Sequence, residues 1–255
     1  MRSRRSSQAS SNGQQRARHG LARVLSRMGV CSRSEAVRRI EAGRVSVNGR
    51  IVRDAEMPVD PAHARIEMDG APLQAHARVC IAMNKPRGLV VSTADEQGRD
   101  TVYALLRDAG LPWLAPVGRL DKASEGLLLM SNDPAWAACI TDPAHHVRKT
   151  YRVQVRGVPD AVTLERLNTG IDDRGERLSA ESARVIGGGA RNAWLEIVLG
   201  EGKNRQIRRM LAACDYPVLR LMRVAIGSLA LGDLPKGRWR ELTEPEVREL
   251  SGETR

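Results

Sequence analysis

The sequence predicts an α+β protein in which a small helix-helix-hairpin module precedes a larger domain with a mixed, largely antiparallel sheet flanked by helices. Near the N-terminus, apolar residues at helical spacing are followed at once by an Asn-Gly hairpin turn. Strand-like runs and helical patterns then recur without the regular alternation that builds a parallel sheet. Within one such run, Val153 and Val155 alternate with Arg152 and Gln154, which is typical of a sheet with one face in water.

The composition indicates a protein that binds a polyanion. The chain has 255 residues, with 41 Lys and Arg against 30 Asp and Glu, and the resulting charge of +11 favours nucleic acid as the partner. The longest apolar run, Ala135 to Ile140, is too short to span a membrane, and no apolar segment follows the charged N-terminus as in a secretory signal. We therefore expect a cytoplasmic protein with no membrane partner, and we expect it to act as a monomer.

The numbers and spacing of cysteine, histidine and aromatic residues argue against certain kinds of metal site and RNA-binding surface. The four cysteines are far apart in the chain and the histidines lack ligand spacing, so we expect neither a metal site nor another cofactor. Aromatic residues make up only 3% and Phe is absent, which argues against a sheet that stacks several bases on aromatic rings. Any grip on RNA must then come mainly from Arg, Lys and backbone groups.

The first segment of the chain is interpreted as a basic tail followed by two helices. Residues 1–18 are rich in Ser, Gln and Arg and are predicted to be disordered, although a tail that only aids solubility would look the same. Leu21, Val24, Leu25 and Met28 predict a first helix that stops at Gly29.

The second helix and the hairpin have clear local signals. Ser32 and Glu35 form a capping-box pattern, and Gly43 ends the helix. Strands of a hairpin should then flank Asn48-Gly49, with a further strand over residues 64–68 and a linker over residues 74–78.

This order resembles the RNA-binding domain of the ribosomal protein S4 family, which the segments Ser32 to Ala36 and Gly43 to Gly49 match most closely. We place that domain at residues 19–75. The resemblance implies that the second helix and the following loop lie on structured RNA. The arginines that we expect to contact phosphates are Arg23, Arg27, Arg33, Arg38, Arg39 and Arg44. Such contacts position an RNA but do not read its sequence.

The remainder, residues 76–255, is predicted to form the second domain. Predicted strands are Val79 to Met83, Leu89 to Ser92, Leu127 to Met130, Tyr151 to Val155, Ala183 to Ile186, Trp194 to Leu199 and Leu219 to Ile226. Predicted helices are Thr101 to Ala109, Asp133 to Ile140, Asp160 to Leu167, Gln206 to Ala213 and Thr243 to Leu250. The run Gly187-Gly188-Gly189 is interpreted as a flexible loop, since it lacks the Lys-Ser/Thr of a phosphate-binding loop.

The segment from Pro116 to Met130 contains the candidate chemistry. It sets a polar loop with Asp121 beside a buried strand, and Arg119 and Lys122 flank this carboxylate. By pattern alone, an Asp that follows an Arg more often belongs to a turn or an ion pair than to a catalytic centre.

Three motifs in this domain resemble the RsuA-like branch of pseudouridine synthases. They are Gly118-Arg119-Leu120-Asp121 with Ser124 to Leu129, Lys149 to Val153, and Glu201 to Met210. The resemblance implies cofactor-free isomerisation of uridine to pseudouridine in ribosomal RNA, with Asp121 as nucleophile or base. Whether the carboxylate attacks the sugar, attacks the base or abstracts a sugar proton stays open. Tyr151 is then expected to pack against the flipped base, and Arg208 to pair with Asp121.

Other basic residues of these motifs are candidates for RNA contacts. Lys203 and Arg205 come just before a predicted helix, where side chains and backbone amides can hold phosphates. The remaining candidates are Arg119, Arg209 and Lys85. Lys85 begins a Lys-Pro-Arg-Gly segment, which an ordinary turn would also explain. The basic run from Arg205 to Met210 leans toward large-subunit RNA, met either free or in a ribosomal assembly intermediate.

Two alternative functions were weighed. A glycoside hydrolase would pair Asp121 with Glu125, but it needs aromatic platforms that this chain lacks, and both carboxylates lie in one short turn. A non-catalytic RNA-binding protein of ribosome assembly would need only the N-terminal domain and the positive charge. The trio of Asp121, Tyr151 and Arg208 argues against it, because a pure binder has no use for them.

Overall fold

The computed structural model describes residues 19–93 and 98–252, and it confirms the α+β prediction. The chain divides into two compact units between Ala75 and His76. The tail predicted for residues 1–18 lies outside the described residues. Within the part of the chain that the structure describes, no helix is both long enough and apolar enough to cross a membrane.

The first unit packs two helices on a small sheet. Its elements are β1 (His19–Gly20), α1 (Leu21–Arg27), α2 (Arg33–Glu41), β2 (Val45–Val47), β3 (Arg50–Val52), β4 (Pro58–Val59), β5 (Ile66–Met68) and β6 (Ala71–Pro72). The sheet order is β3-β2-β5-β6, and β1 pairs separately with β4. The apolar faces of both helices pack with the inner faces of β2 and β5 in one core.

The local signals of this unit behave as predicted, with one difference. Asn48 and Gly49 both have positive φ, as the tight β2–β3 turn requires. The Ser32 hydroxyl accepts a hydrogen bond from the Glu35 amide at 3.1 Å. The Glu35 carboxylate does not complete the capping box, because it binds Arg38 and Arg39 on the next turn.

The second unit is built on one large sheet. Its elements are β7 (Cys80–Lys85), a 3-10 helix (Val102–Leu106), β8 (Ala115–Val117), β9 (Glu125–Ser131), α3 (Pro134–Thr141), a 3-10 turn (Pro143–His145), β10 (Lys149–Arg156), α4 (Ala161–Thr169), β11 (Ile171–Asp173), β12 (Glu176–Leu178), β13 (Ser182–Gly189), β14 (Asn192–Leu199), α5 (Gln206–Ala212), β15 (Val218–Ile226), β16 (Leu229–Ala230), β17 (Trp239–Glu241) and α6 (Glu244–Leu250).

The sheet joins two antiparallel halves through one parallel pair. Its order is β13-β14-β10-β15-β9-β7-β17, with β16 added to β15 and β8 to β9. The β15–β9 pair is parallel, whereas the other ladders of this sheet are antiparallel. One core lies against β10 and β14 and includes apolar residues of α5, and another packs α3 and α6 against β7 and β9. The loop before β9 and the start of α5 therefore meet over the junction of the two halves.

Three local predictions were wrong. Residues 89–92 form no strand, and Val90 makes only an isolated bridge with Thr101. The predicted helix over residues 101–109 is a shorter 3-10 helix, Val102–Leu106. The three glycines are not a loop but the end of β13, where a Cβ on Gly188 would lie 2.5 Å from the Asn192 carbonyl oxygen. Because these glycines have no side chain, the backbone of the neighbouring strand can approach closely, and the segment is part of the sheet instead of a flexible loop.

Candidate active site

A cavity of about 360 Å³ in the second unit brings the three predicted catalytic residues together. Asp121 comes from the loop between β8 and β9, Tyr151 from β10 and Arg208 from α5, and all three line this cavity. Its volume falls in the range of sites that enclose a small-molecule-sized group. A single nucleotide is of that size.

The Asp121 carboxylate is held loosely by cations. Its backbone carbonyl accepts a hydrogen bond from the Ser124 amide at 3.0 Å, which closes a turn before β9. Its Oδ2 lies 3.4 Å from Nη1 of Arg205 and 3.7 Å from Nε of Arg208, and the side chain is 34% exposed. Among the described residues, no group donates a hydrogen bond to Oδ1. One carboxylate oxygen is thus available to a ligand in the cavity.

Arg208 is buried more deeply than the carboxylate that it faces. Its side chain is 16% exposed, and Nη2 makes only long contacts, at 3.4 Å to the Ala123 carbonyl and 3.5 Å to the Ser124 hydroxyl. Burial and the neighbouring Arg205 lower the pKa of Arg208, while Asp121 raises it. The Nε atom is buried without a hydrogen-bond partner in the described structure, so this guanidinium has unused donor capacity.

Tyr151 lies between two neighbouring strands, opposite Ile197 on β14 and Arg223 on β15. Its half-buried ring packs against apolar residues on both sides of the sheet junction and lines the cavity. An aromatic ring fixed in this way offers a flat surface to a planar ligand.

The structure corrects the prediction for Lys85, which has no exposed surface. Its ammonium donates hydrogen bonds to the carbonyls of Ser124 at 2.8 Å, Pro86 at 3.0 Å and Asp121 at 3.3 Å. Burial lowers the pKa of Lys85 to about 8, against the opposing effects of Asp121 and Glu125. Because the ammonium is enclosed by these carbonyls, Lys85 holds the Asp121 loop and presents no charge to RNA.

The other basic candidates of this unit differ in how free their charges are. Arg119 and Arg205 are exposed at the cavity. Lys203 donates to the Arg177 carbonyl at 2.7 Å and lies 3.2 Å from Glu201. Arg209 is engaged by Asp173 at 2.5 Å and Glu176 at 2.7 Å, so it ties α5 to the β11–β12 hairpin.

The six arginines of the first unit that are predicted to contact RNA also fall into two groups. Four of them lie against carboxylates, Arg33 with Glu56, Arg38 and Arg39 with Glu35, and Arg44 with Asp69. Hydrogen bonds from Arg39 and Arg38 lower the pKa of Glu35 to about 2. Arg23 and Arg27 are exposed on α1, and within the described residues neither has a carboxylate partner. Of these six arginines, the two on α1 are therefore the ones whose charge is not offset by a carboxylate.

Tertiary contacts bury charged groups whose partners no sequence motif marks. Glu125 is only 1% exposed and binds both Arg220 and, at 2.7 Å, Lys236. Burial raises the pKa of Glu125, but hydrogen bonds from these two cations leave it below its ordinary value. A sequestered, ion-paired Glu125 is unsuited to the acid role of a glycoside hydrolase. Across residues 19–93 and 98–252, no cluster of His, Cys, Asp and Glu has a metal-binding arrangement.

Comparison with known proteins follows the division of the chain into two units. A family model described as RNA pseudouridylate synthase matches residues 79–213, and one for the S4 domain matches residues 20–64. An uncharacterised RNA pseudouridine synthase of Aquifex aeolicus is 36% identical over 89% of this chain and 92% of its own. Ribosomal large subunit pseudouridine synthase B of Bacillus subtilis is 32% identical over 90% of this chain and 94% of its own length. A crystal structure of a pseudouridylate synthase superposes with a TM-score of 0.63 at 30% identity, covering 91% of this chain and 99% of that one.

Proposed function

Because this chain belongs to the RNA pseudouridylate synthase family, we propose that it isomerises a uridine of ribosomal RNA, with the large subunit favoured, through the carboxylate of Asp121. The observation that carries the assignment of Asp121 is its position in the cavity, with Oδ1 free of donors from the described residues and two arginines beside Oδ2. The large-subunit preference rests on the names of similar proteins from Bacillus subtilis and Salmonella typhi.

The reaction needs no group beyond those that line the cavity. The C1′–N1 bond of uridine breaks, the uracil turns, and a new bond joins its C5 to C1′, after which the C5 proton is replaced by one on N1. Asp121 acts as nucleophile or base, and its carboxylate faces the cations Arg205 and Arg208. Tyr151 packs against the flipped base and keeps it in place while it turns.

The surrounding charges suit an RNA partner. Arg119, Lys203 and Arg205 all line the cavity, and the two arginines are exposed, so these cations are placed to hold phosphates beside the flipped nucleotide. The S4 domain supplies a second RNA-binding surface, led by Arg23 and Arg27. We propose that the substrate is ribosomal RNA, free or within an assembly intermediate, that the enzyme acts as a monomer without a cofactor, and that it works in the cytoplasm, where ribosomes are assembled.

The function is tested by mapping pseudouridine in ribosomal RNA of cells that lack this protein. We expect one position of large-subunit RNA to change from pseudouridine to uridine, and a plasmid copy of the wild-type gene to restore it. A copy with Asp121→Asn should not restore it. Loss of a small-subunit position instead would overturn the large-subunit preference, and an unchanged map would contradict the proposed substrate.

The two arginines of α1 should contribute more to the salt dependence of RNA binding than the arginines that form ion pairs. Replacing Arg23 and Arg27 together by Gln should reduce the slope of log affinity against log salt by about two units, because each lost phosphate contact retains about one counterion. The matched control replaces Arg33 and Arg44, whose charges already face Glu56 and Asp69, and should change the slope less. Filter binding of a ribosomal RNA fragment over a series of salt concentrations measures the slope for both double variants. An equal effect of the two pairs would show that the ion pairs do not limit contact with RNA.

A further inference from the structure

Two cations that line the cavity have no role in the mechanism described so far. Arg223 on β15 is only 5% exposed and lines the cavity beside Tyr151, its cross-strand neighbour. Its Nε donates to the Leu127 carbonyl at 2.8 Å, whereas its Nη2 is buried without a hydrogen-bond partner in the described structure. A buried donor without a partner is unfavourable, because it has lost its hydrogen bonds to water and gained no acceptor in exchange. Such a cost is a sign that a ligand supplies the missing acceptor.

Lys149 adds a second positive charge at the same place. It precedes Tyr151 by two residues on β10, faces the same side of the sheet and lines the same cavity. Burial and the charge of Arg223 both lower the pKa of Lys149. Among the described residues, neither cation forms an ion pair with a carboxylate. These two cations, here called the floor of the cavity, are therefore positive and uncompensated, and the Asp121 carboxylate lines the same cavity.

Depth decides which part of the RNA can reach this floor. A phosphate is bonded to the chain on both sides, so it stays near the surface, where the exposed Arg119 and Arg205 lie. The base and the 2′-hydroxyl are the branches of the nucleotide that end freely, and of these only the flipped base is long enough to enter between Tyr151 and the floor. Uracil offers two carbonyl oxygens as acceptors at its edge.

We propose that Arg223 and Lys149 bind the carbonyl edge of the flipped uracil and stabilise the negative charge that it carries while detached from the ribose. This inference rests on the proposed function. When the C1′–N1 bond breaks, its electron pair remains with the base, which becomes an anion with charge spread over its ring nitrogens and carbonyl oxygens. The pair is used again when C5 bonds to C1′, and the proton lost from C5 is replaced by one on N1. Fixed cations at those oxygens stabilise the detached state more than the bound uridine, which is the condition for a faster reaction.

The test separates the rate of reaction from the affinity for RNA. Single-turnover pseudouridine formation at saturating ribosomal RNA is measured for Lys149→Met and Arg223→Met, with Arg152→Met on the other face of β10 as the matched control. We expect each cavity variant to be slower by about 100-fold or more, the effect of removing one donor to a developing anion. RNA affinity should stay within about threefold of wild type, because base contacts formed only in the detached state contribute little to binding. Arg223→Lys should retain more activity than Arg223→Met, and the control should behave as wild type.

Two results would overturn the inference. If the cavity variants bind RNA more weakly with a smaller salt slope but react at the wild-type rate when saturated, the cations contact phosphates. If rate and affinity are both unchanged, the floor has no role in the reaction. Should Arg223→Met fail to fold, as judged by circular dichroism, Lys149→Met decides the question by the same criteria. A wild-type protein that forms no pseudouridine would instead contradict the proposed function.

Discussion

Asp121→Asn should abolish pseudouridine formation while RNA affinity and folding remain those of the wild type. The amide has the same shape as the carboxylate, but it carries no charge and cannot act as nucleophile or base. We expect a loss of about 10⁴-fold in the single-turnover rate, the scale seen when a catalytic aspartate is removed from another enzyme. Folding should be unaffected, because the carboxylate is partly exposed and its contacts with Arg205 and Arg208 are long.

The control for this variant lies on the same loop. Lys122 is exposed and does not line the cavity, so Lys122→Gln removes a charge next to Asp121 without touching the site. Both variants are assayed on protein-free and partly assembled ribosomal RNA, with RNA affinity measured in parallel. Activity of Asp121→Asn within about tenfold of wild type, a difference of only about 1.4 kcal/mol in barrier, would rule out Asp121 as the catalytic carboxylate.

Gly126→Ala should destabilise the second unit and remove its activity. Gly126 has a φ of +100° and pairs with Arg223 where β9 and β15 run parallel. A Cβ at this position would lie 2.2 Å from the Arg223 carbonyl oxygen and 2.9 Å from its amide nitrogen, so the two strands must separate. Overpacking and the unfavourable backbone conformation together cost about 3–4 kcal/mol, which corresponds to a fall of about 10 °C in Tm.

Gly175→Ala separates the steric effect from the conformational one. Gly175 also has a positive φ, of +77°, but nothing lies within 4 Å of the position that its Cβ would occupy. This control should cost only about 1–2 kcal/mol for the left-handed backbone and leave the cavity intact. Thermal unfolding followed by circular dichroism compares the two variants. Equal melting temperatures would mean that the β9–β15 contact at Gly126 does not limit stability.

The sequence by itself determined those features that depend on neighbours along the chain. The Asn48-Gly49 turn, the stop at Gly29 and most helices and strands of the second unit follow from turn chemistry and apolar periodicity, which are local properties. The failures at residues 89–92 and at the three glycines have different causes. Residues 89–92 find no strand to pair with beyond the single Val90–Thr101 bridge, which the local pattern does not reveal. The three glycines extend β13 because they pair with the next strand, β14, across a two-residue turn, although glycine has a low strand propensity.

In the candidate site, too, some features follow from the sequence and others depend on the tertiary structure. Asp121, Tyr151 and Arg208 were selected from sequence motifs, and the fold brings them to one cavity from elements far apart in the chain. Tertiary structure alone decided the state of each surrounding charge. Lys85 is enclosed by carbonyls, and Glu125 by two cations, while Arg223 is left without an acceptor. Burial and pairing set the free energy of a charge, and both depend on residues that only folding brings together.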